Sequence, residues 1–289
     1  MTAAPLPARL WIYQAERFPL AAHAPMTLLL CAGSVAAFTG ALPVKAVLAG
    51  FAALLPLFFI MRVADEHKDH AEDMAFRPER PVPRGLVTLA ELRLAGTVAA
   101  LLPLTLALTF PAALLPLLLA AGWIAAMSVE FGLRDWLREH PVAYLVSHML
   151  VMPLLALLAT SFAADIAIPA ILPVLALAFG AGLVLEIGRK LWGAEEEREG
   201  VETYSRLWGP ARAATVWALT AAVTLALAAT LAGHPALMAL AAAGGGAALT
   251  LAFGYAQQPT LARAKRLRAM AAGVIVLAYA VCIAGALIG

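Results

Sequence analysis

The sequence predicts an all-α, polytopic membrane protein with about nine transmembrane helices, and three observations carry that prediction. Only 13% of the 289 residues are charged, about half the share a soluble domain keeps. Apolar residues make up 63% and mean hydropathy is +0.87, so most of the chain faces something other than water. Apolar runs of about 20 residues recur, each long enough to cross the hydrocarbon core as a helix. The alternating segments of about ten residues that a membrane barrel needs are not seen. A spanning segment must then satisfy its own backbone polar groups, which leaves the helix.

Taken in order, the spans fall at 20–40, 42–62, 88–110, 112–130, 142–163, 167–188, 210–232, 235–255 and 269–288. Before them, Leu10 to Pro19 reads as an amphipathic interfacial helix ended by Pro19, with Trp11 and Tyr13 at headgroup level. The whole chain, 1–289, is expected to form one transmembrane domain. Residues 20–130 and 142–255 form two four-helix halves, and 269–288 adds a ninth helix. Each half carries its long polar link after its second span, as parallel repeats would. The two cysteines, Cys31 and Cys282, lie far apart in apolar runs and read as buried small hydrophobes.

Charge placement sets the expected orientation. Of the 20 Lys and Arg, 19 flank the N-terminus or the long links, and Lys45 is the exception. The positive-inside rule therefore places the N-terminus and long links in the cytoplasm and the C-terminus outside. The Ala- and Leu-rich composition is compatible with a high-GC bacterium, and the expected location is a bacterial inner membrane. Of the 18 Asp and Glu, all but Asp165 share the cytoplasmic side. Carboxylates contribute little to orientation, so their position asks for another cause.

The second span runs directly into Asp65-Glu66-His67-Lys68-Asp69-His70-Ala71-Glu72-Asp73. If the helix continues, Asp65, Asp69 and Asp73 stack at i, i+4 and i+8, with Glu66 in an overlapping stripe. Like charges at that spacing destabilise a bare helix. Mg²⁺, which takes oxygen ligands and keeps substrate phosphates in its shell, would reverse the sign. Asp65, Glu66, Asp69 and Asp73 are thus the candidate metal ligands, and Asp65, Asp69 and Asp73 the candidate catalytic residues. Next comes Arg77-Pro78-Glu79-Arg80-Pro81-Val82-Pro83-Arg84-Gly85, an extended segment held by its prolines. Its arginines, Arg77 and Arg80 among them, offer planar forks to phosphate oxygens. Thr88-Leu89-Ala90-Glu91 is a capping box that starts the third span.

Asp65-Glu66-x-x-Asp69-x-x-x-Asp73 followed by Arg80-Pro81-x-Pro83-x-Gly85 resembles the first signature of the UbiA-type intramembrane prenyltransferase superfamily. That signature usually reads N-D-x-x-D-x-x-x-D, then R-P-x-P-x-G. The resemblance extends to Arg17-Phe18-Pro19 and the nine-span plan. It implies a helical bundle around a central cavity, with two acidic motifs at the cytoplasmic mouth holding Mg²⁺ and a prenyl diphosphate. The second motif normally carries several aspartates after span six. Here the ending Gly200-x-x-Thr203 and Leu207-Trp208-Gly209 matches, and Glu195 and Glu196 fall on late acidic positions. Glu186 lies near the first of them, and Trp192 stands where an aspartate is usual. Glu186, Glu195 and Glu196 are therefore expected as further metal ligands, and Arg189, Lys190 and Trp192 as substrate-binding residues.

The expected activity is transfer of an isoprenyl group from a prenyl diphosphate to a lipophilic, possibly aromatic acceptor in the bilayer, with Mg²⁺ as cofactor and no nucleic-acid partner. Trp123, Phe131, Trp136, Tyr144 and Trp192 are candidate faces for the allylic cation. Two other readings use the same residues. One is a terpene cyclase that acts on the prenyl diphosphate alone. The other is a cation or proton-coupled transporter, which would place ionisable residues mid-membrane rather than at one edge.

Overall fold

The structure, a computed structural model, describes residues 4–199 and 201–289. Its described residues contain nine helices long and apolar enough to cross a membrane, and no strand. A first helix, α1 (Leu6–Arg17), leads into α2 (Leu20–Thr39) and α3 (Val44–Lys68). A short α4 (His70–Phe76) and the Arg-Pro loop precede α5 (Leu89–Thr109) and α6 (Leu114–Ser128). A surface turn of helix, α7 (Arg134–Glu139), is followed by α8 (Pro141–Met149) and α9 (Val151–Ser161), which together make the fifth span. Then come α10 (Ile168–Arg189), the short α11 (Tyr204–Trp208), α12 (Pro210–Ala232), α13 (Pro235–Gln257) and α14 (Leu261–Ile288).

α1 begins at Leu6 rather than Leu10, with Pro7 in its first turn, and three further features differ from the sequence expectation, each for a local reason. α3 continues past 62 to Lys68, because no glycine or proline interrupts the charged residues that follow the apolar run. α14 begins at Leu261, eight residues before 269. Thr260 caps it, and Arg263, Lys265, Arg266 and Arg268 occupy its first turns. Hydropathy sees only the membrane part of such a helix, whereas helix propensity extends into the charged part. The fifth span breaks at Leu150. Pro153 has no N–H for the Met149 carbonyl, so the ladder is cut there and α8 is free to turn. Tyr13 also departs from its expected headgroup position. Trp11 is exposed as expected, but Tyr13 is fully buried against Val63, Val87 and Leu92.

Within the bundle, α14 packs against α2, α10, α12 and α13, so the ninth helix closes the ring between the first and last spans of the preceding eight. Lipid tails are as apolar as leucine, so these contacts rest on close van der Waals fit and hydrogen bonds. Small residues provide the fit. The Tyr279 ring lies where a Gly33 side chain would be, Ala232 backs onto Gly285, and the Trp217 indole sits over Gly188. Trp217 Nε1 donates to the Val184 carbonyl at 3.0 Å. Leu101, Leu115, Leu219, Val223 and Phe253 remain exposed on the outside, as a lipid-facing surface requires. Cys31 and Cys282 are free and buried.

Replacing Gly33 by Val should force the Tyr279 ring aside, at a cost of about 1–3 kcal/mol, and lower the melting temperature in detergent. Gly122→Val, where an added Cβ meets nothing within 4 Å, should leave it unchanged. Equal melting temperatures would show that the α2–α14 contact is not close-packed.

Candidate active site

The first acidic motif lies at the end of α3, where the chain kinks without losing its ladder. Asp69 leaves helical geometry, yet its N–H donates to the Asp65 carbonyl at 2.9 Å and its carbonyl accepts from Asp73 N–H at 2.8 Å. Asp65, Asp69 and Asp73 are therefore successive turns of one bent helix, as the spacing predicts. Their side chains meet different fates. Asp73 is buried, and both of its oxygens accept from Arg80 at 2.7 and 2.6 Å, with Arg77 at 3.0 Å. Glu66 is also buried, and its carboxylate accepts from Arg17 Nε at 2.6 Å. Arg84, the third arginine of the loop, pairs with Glu16 at the surface. Thr88 and Glu91 form the expected capping box, and Glu91 also holds Arg9 of α1.

Asp65 and Asp69 are left with weak compensation. The Asp65 side chain is 42% exposed, with Arg62 at 3.4 Å and Lys68 at 3.9 Å. Asp69 has no ion pair among the described residues. Burial pushes its carboxyl up from the usual aspartate range, and the charges of Asp65 and Asp73 add to this against Lys68 and Arg77. These two carboxylates, one turn apart, fit the demand of a Mg²⁺ ion, which takes one or two carboxylates and completes its shell with water and substrate phosphate. A dication there would relieve the penalty on Asp69.

The second motif is organised otherwise. Glu186 is buried at the end of α10 and faces two cations, Arg189 at 2.5 Å and Lys190 at 3.3 Å. Glu195 accepts from the Leu261 N–H at 3.0 Å. Glu196 accepts from Arg268 at 3.0 and 2.8 Å and from Gly193 N–H at 3.0 Å. Burial alone would raise the Glu196 carboxyl, but these donors hold it below its usual range. Glu197 accepts from the Thr203 and Ser205 hydroxyls. A side chain at Gly193 would strike the backbone of Thr260 and Leu261, so only glycine lets the loop dock on the start of α14. Trp192 is part of the same knot. Its N–H donates to Ser205 Oγ at 3.0 Å and its carbonyl accepts from Tyr255 at 2.6 Å. Gly200 lies outside the described residues. Among the described residues no three His, Cys, Asp or Glu side chains converge as a metal site.

The two motifs meet at α8. Lys68 Nζ donates to Tyr144 Oη at 3.4 Å and lies 5.9 Å from that ring's centre. Lys190 Nζ lies 6.0 Å from the same ring and 5.5 Å from the Tyr204 ring. His148, one turn on, stacks on Tyr144 with ring centres 3.8 Å apart. Its Nδ1 faces the Tyr144 carbonyl at 2.9 Å, so that nitrogen carries the proton, and Nε2 is buried without a partner. Phe131 approaches His148 edge-on at 6.0 Å and Trp123 at 5.2 Å. Glu130 and Phe131 hold positive φ angles of 50° and 55°, a conformation costly for residues with side chains and concentrated at functional sites. That turn presents Phe131 to the box and brings Glu130 to 3.8 Å from Lys68.

Of the five expected aromatics, then, Trp123, Phe131 and Tyr144 come together. Trp136 instead stacks on His140 at the surface, and Trp192 belongs to the second-motif loop. Lys68 and His148 are the residues that sequence reasoning passed over. Tyr144 and His148 stand at i and i+4 inside an apolar run, and an ionisable residue within a span is a functional signal by default. A groove of about 450 Å³ lined by Ala222, Ala226, Met238 and Gly245 lies between α12 and α13, and a notch of about 150 Å³ adjoins Trp192 and Ser205.

No family model and no curated protein matches the sequence. In three dimensions the chain is similar to a solved structure of digeranylgeranylglyceryl phosphate synthase, studied in membranes. The TM-score is 0.69, over 98% of this chain and 100% of that one, at 14% sequence identity. The two proteins share one fold. At that identity the fold is what the comparison establishes, and it is the polytopic helical bundle the sequence predicts.

Two outcomes follow from the ion pairs. Arg17→Ala strands the buried Glu66 charge and should cost about 3–5 kcal/mol, whereas Arg84→Ala at the exposed pair should cost at most about 1 kcal/mol. Equal melting temperatures for the two variants would contradict the burial difference. Asp69, with its raised carboxyl, contributes stability below its ordinary range that is lost as pH rises through the folded value. In EDTA at pH 7, Asp69→Asn should therefore melt higher than the parent. Added Mg²⁺ should raise the melting temperature of the parent more than that of the variant.

Proposed function

We propose that the protein is an intramembrane prenyltransferase, which moves an isoprenyl group from a prenyl diphosphate to a lipophilic acceptor. One observation carries the reading: the two weakly compensated carboxylates of the first motif, Asp65 and Asp69, stand next to Lys68, which touches the aromatic box of Tyr144, His148, Phe131 and Trp123. The likeness of fold to digeranylgeranylglyceryl phosphate synthase supports it, as does the resemblance to the UbiA-type signature.

Asp65 and Asp69 would hold Mg²⁺, which neutralises the diphosphate as its bond to the allylic carbon breaks. Arg189 and Lys190 supply donors to the phosphate oxygens from the other motif. Trp123, Phe131 and Tyr144 supply aromatic faces for the developing allylic cation, whose charge a ring face attracts. Arg17, Arg77, Arg80 and Arg268 keep Glu66, Asp73 and Glu196 in place rather than touch substrate. The site faces the cytoplasm in this reading, because the basic links surround it.

The double variant Asp65→Asn, Asp69→Asn should lose Mg²⁺-dependent diphosphate release from geranylgeranyl diphosphate by about 100-fold or more, while remaining folded by size-exclusion chromatography. Unchanged release would refute the assignment. Hydrocarbon formation by the parent without any acceptor would favour the cyclase reading.

A further inference from the structure

The second motif does not fit a divalent cation. A hard cation needs carboxylate oxygens to spare, and few are left: Glu186 is engaged by Arg189 and Lys190, Glu196 by Arg268, and one oxygen of Glu195 by an N–H. Charge runs the other way here. Glu186 carries one negative charge against two cations, so Lys190 is in surplus. Across the join, Lys68 is similarly undersatisfied. Its side chain is 12% exposed, its carboxylate neighbours stand 3.8 and 3.9 Å off, and among the described residues its one hydrogen bond is the 3.4 Å contact to Tyr144. An ammonium has three donors to place, and burial strengthens its attraction for an anion that could accept them. Both ammoniums approach the Tyr144 ring, with Nζ 5.9 and 6.0 Å from its centre, one from each motif.

We propose that Lys68 and Lys190, gathered at Tyr144, grip one phosphate group directly and stand in for a second divalent cation. The inference rests on the prenyl diphosphate reading of this site and deepens it: the phosphate nearer Asp65 and Asp69 is met through Mg²⁺, and its neighbour is met by two lysines. Lys68 adjoins Asp69 in the chain and Lys190 ends α10, so the grip draws the two motifs together when the anion arrives. Tyr144 keeps Lys68 in place through its hydroxyl, which makes it a positioning residue.

The test uses the full chain in phosphatidylcholine nanodiscs, titrated calorimetrically with inorganic pyrophosphate in EDTA and again in Mg²⁺. Pyrophosphate should bind without metal. Lys68→Met and Lys190→Met should each weaken that binding roughly tenfold or more, as loss of a charge-assisted hydrogen bond predicts. Asp65→Asn, Asp69→Asn should remove only the gain due to Mg²⁺. Where a methionine variant fails to fold, equilibrium dialysis of the parent with Mn²⁺ decides instead: one ion per pyrophosphate supports the grip, and two overturn it. Absence of binding in EDTA, or binding unaltered in folded lysine variants, also overturns it. Loss of pyrophosphate binding when phosphatidylglycerol replaces phosphatidylcholine would identify a lipid headgroup as the occupant and overturn it as well. Metal-free pyrophosphate binding in a protein that never releases diphosphate from geranylgeranyl diphosphate would sink the transferase reading and leave the grip standing.

Discussion

Burying a carboxylate beside a membrane is expensive unless a cation comes with it, and much of the architecture at the site end of this bundle follows from that constraint. Glu66 and Asp73 project inward from α3 and α4, so α1 and the Arg-Pro loop must deliver Arg17, Arg77 and Arg80 to them. Glu196 draws the second-motif loop onto the first turns of α14 through Arg268. These pairs stitch α1, the polar links and the ninth helix onto the spans. Further into the bilayer the constraint is different. Small residues such as Gly33, Gly188 and Gly285 allow helices to meet, and exposed leucines meet lipid.

Against that background, the groups without full compensation stand out. Asp65 has only longer contacts to Arg62 and Lys68, Asp69 has no ion pair among the described residues, Lys68 and Lys190 lack a full set of acceptors, and His148 keeps a buried nitrogen unpaired. All of them lie around Tyr144 or one turn from Lys68. The buried carboxylates Glu66 and Asp73 are neutralised by arginines, whereas the half-buried charges near Tyr144 are matched only loosely. Strain gathers at the same place, in the positive φ angles of Glu130 and Phe131. The opposite signs on its two flanks suit a ligand that is anionic and carries metal on one side only.

How much of this was legible beforehand differs from element to element. The nine spans, the short helix before them, the capping box at Thr88 and the turn spacing of Asp65, Asp69 and Asp73 are periodicities and local signals, which a chain states in its own order. Helix ends were displaced at α3 and α14 because hydropathy reports the membrane and not the helix. In the sequence the candidate site is one list of acids and one list of bases. The structure separates each list into members that hold one another and members that do not. Arg80 and Asp73, seven positions apart, are paired, while Asp69 between the motif's other acids is not.

The sequence by itself determined that this protein crosses the membrane as helices, because backbone polar groups in lipid have no partner outside their own segment. It also determined that acids and bases concentrate at one edge, since composition and order are sequence properties. Only the tertiary structure decided which charges are paired within the fold and which are left without a close partner. That partition depends on contacts such as Arg17 with Glu66 and Arg268 with Glu196, 49 and 72 residues apart in the chain, and on the approach of Lys68 and Lys190 to Tyr144. No local rule encodes such distances, because they arise from how the helices pack around one another.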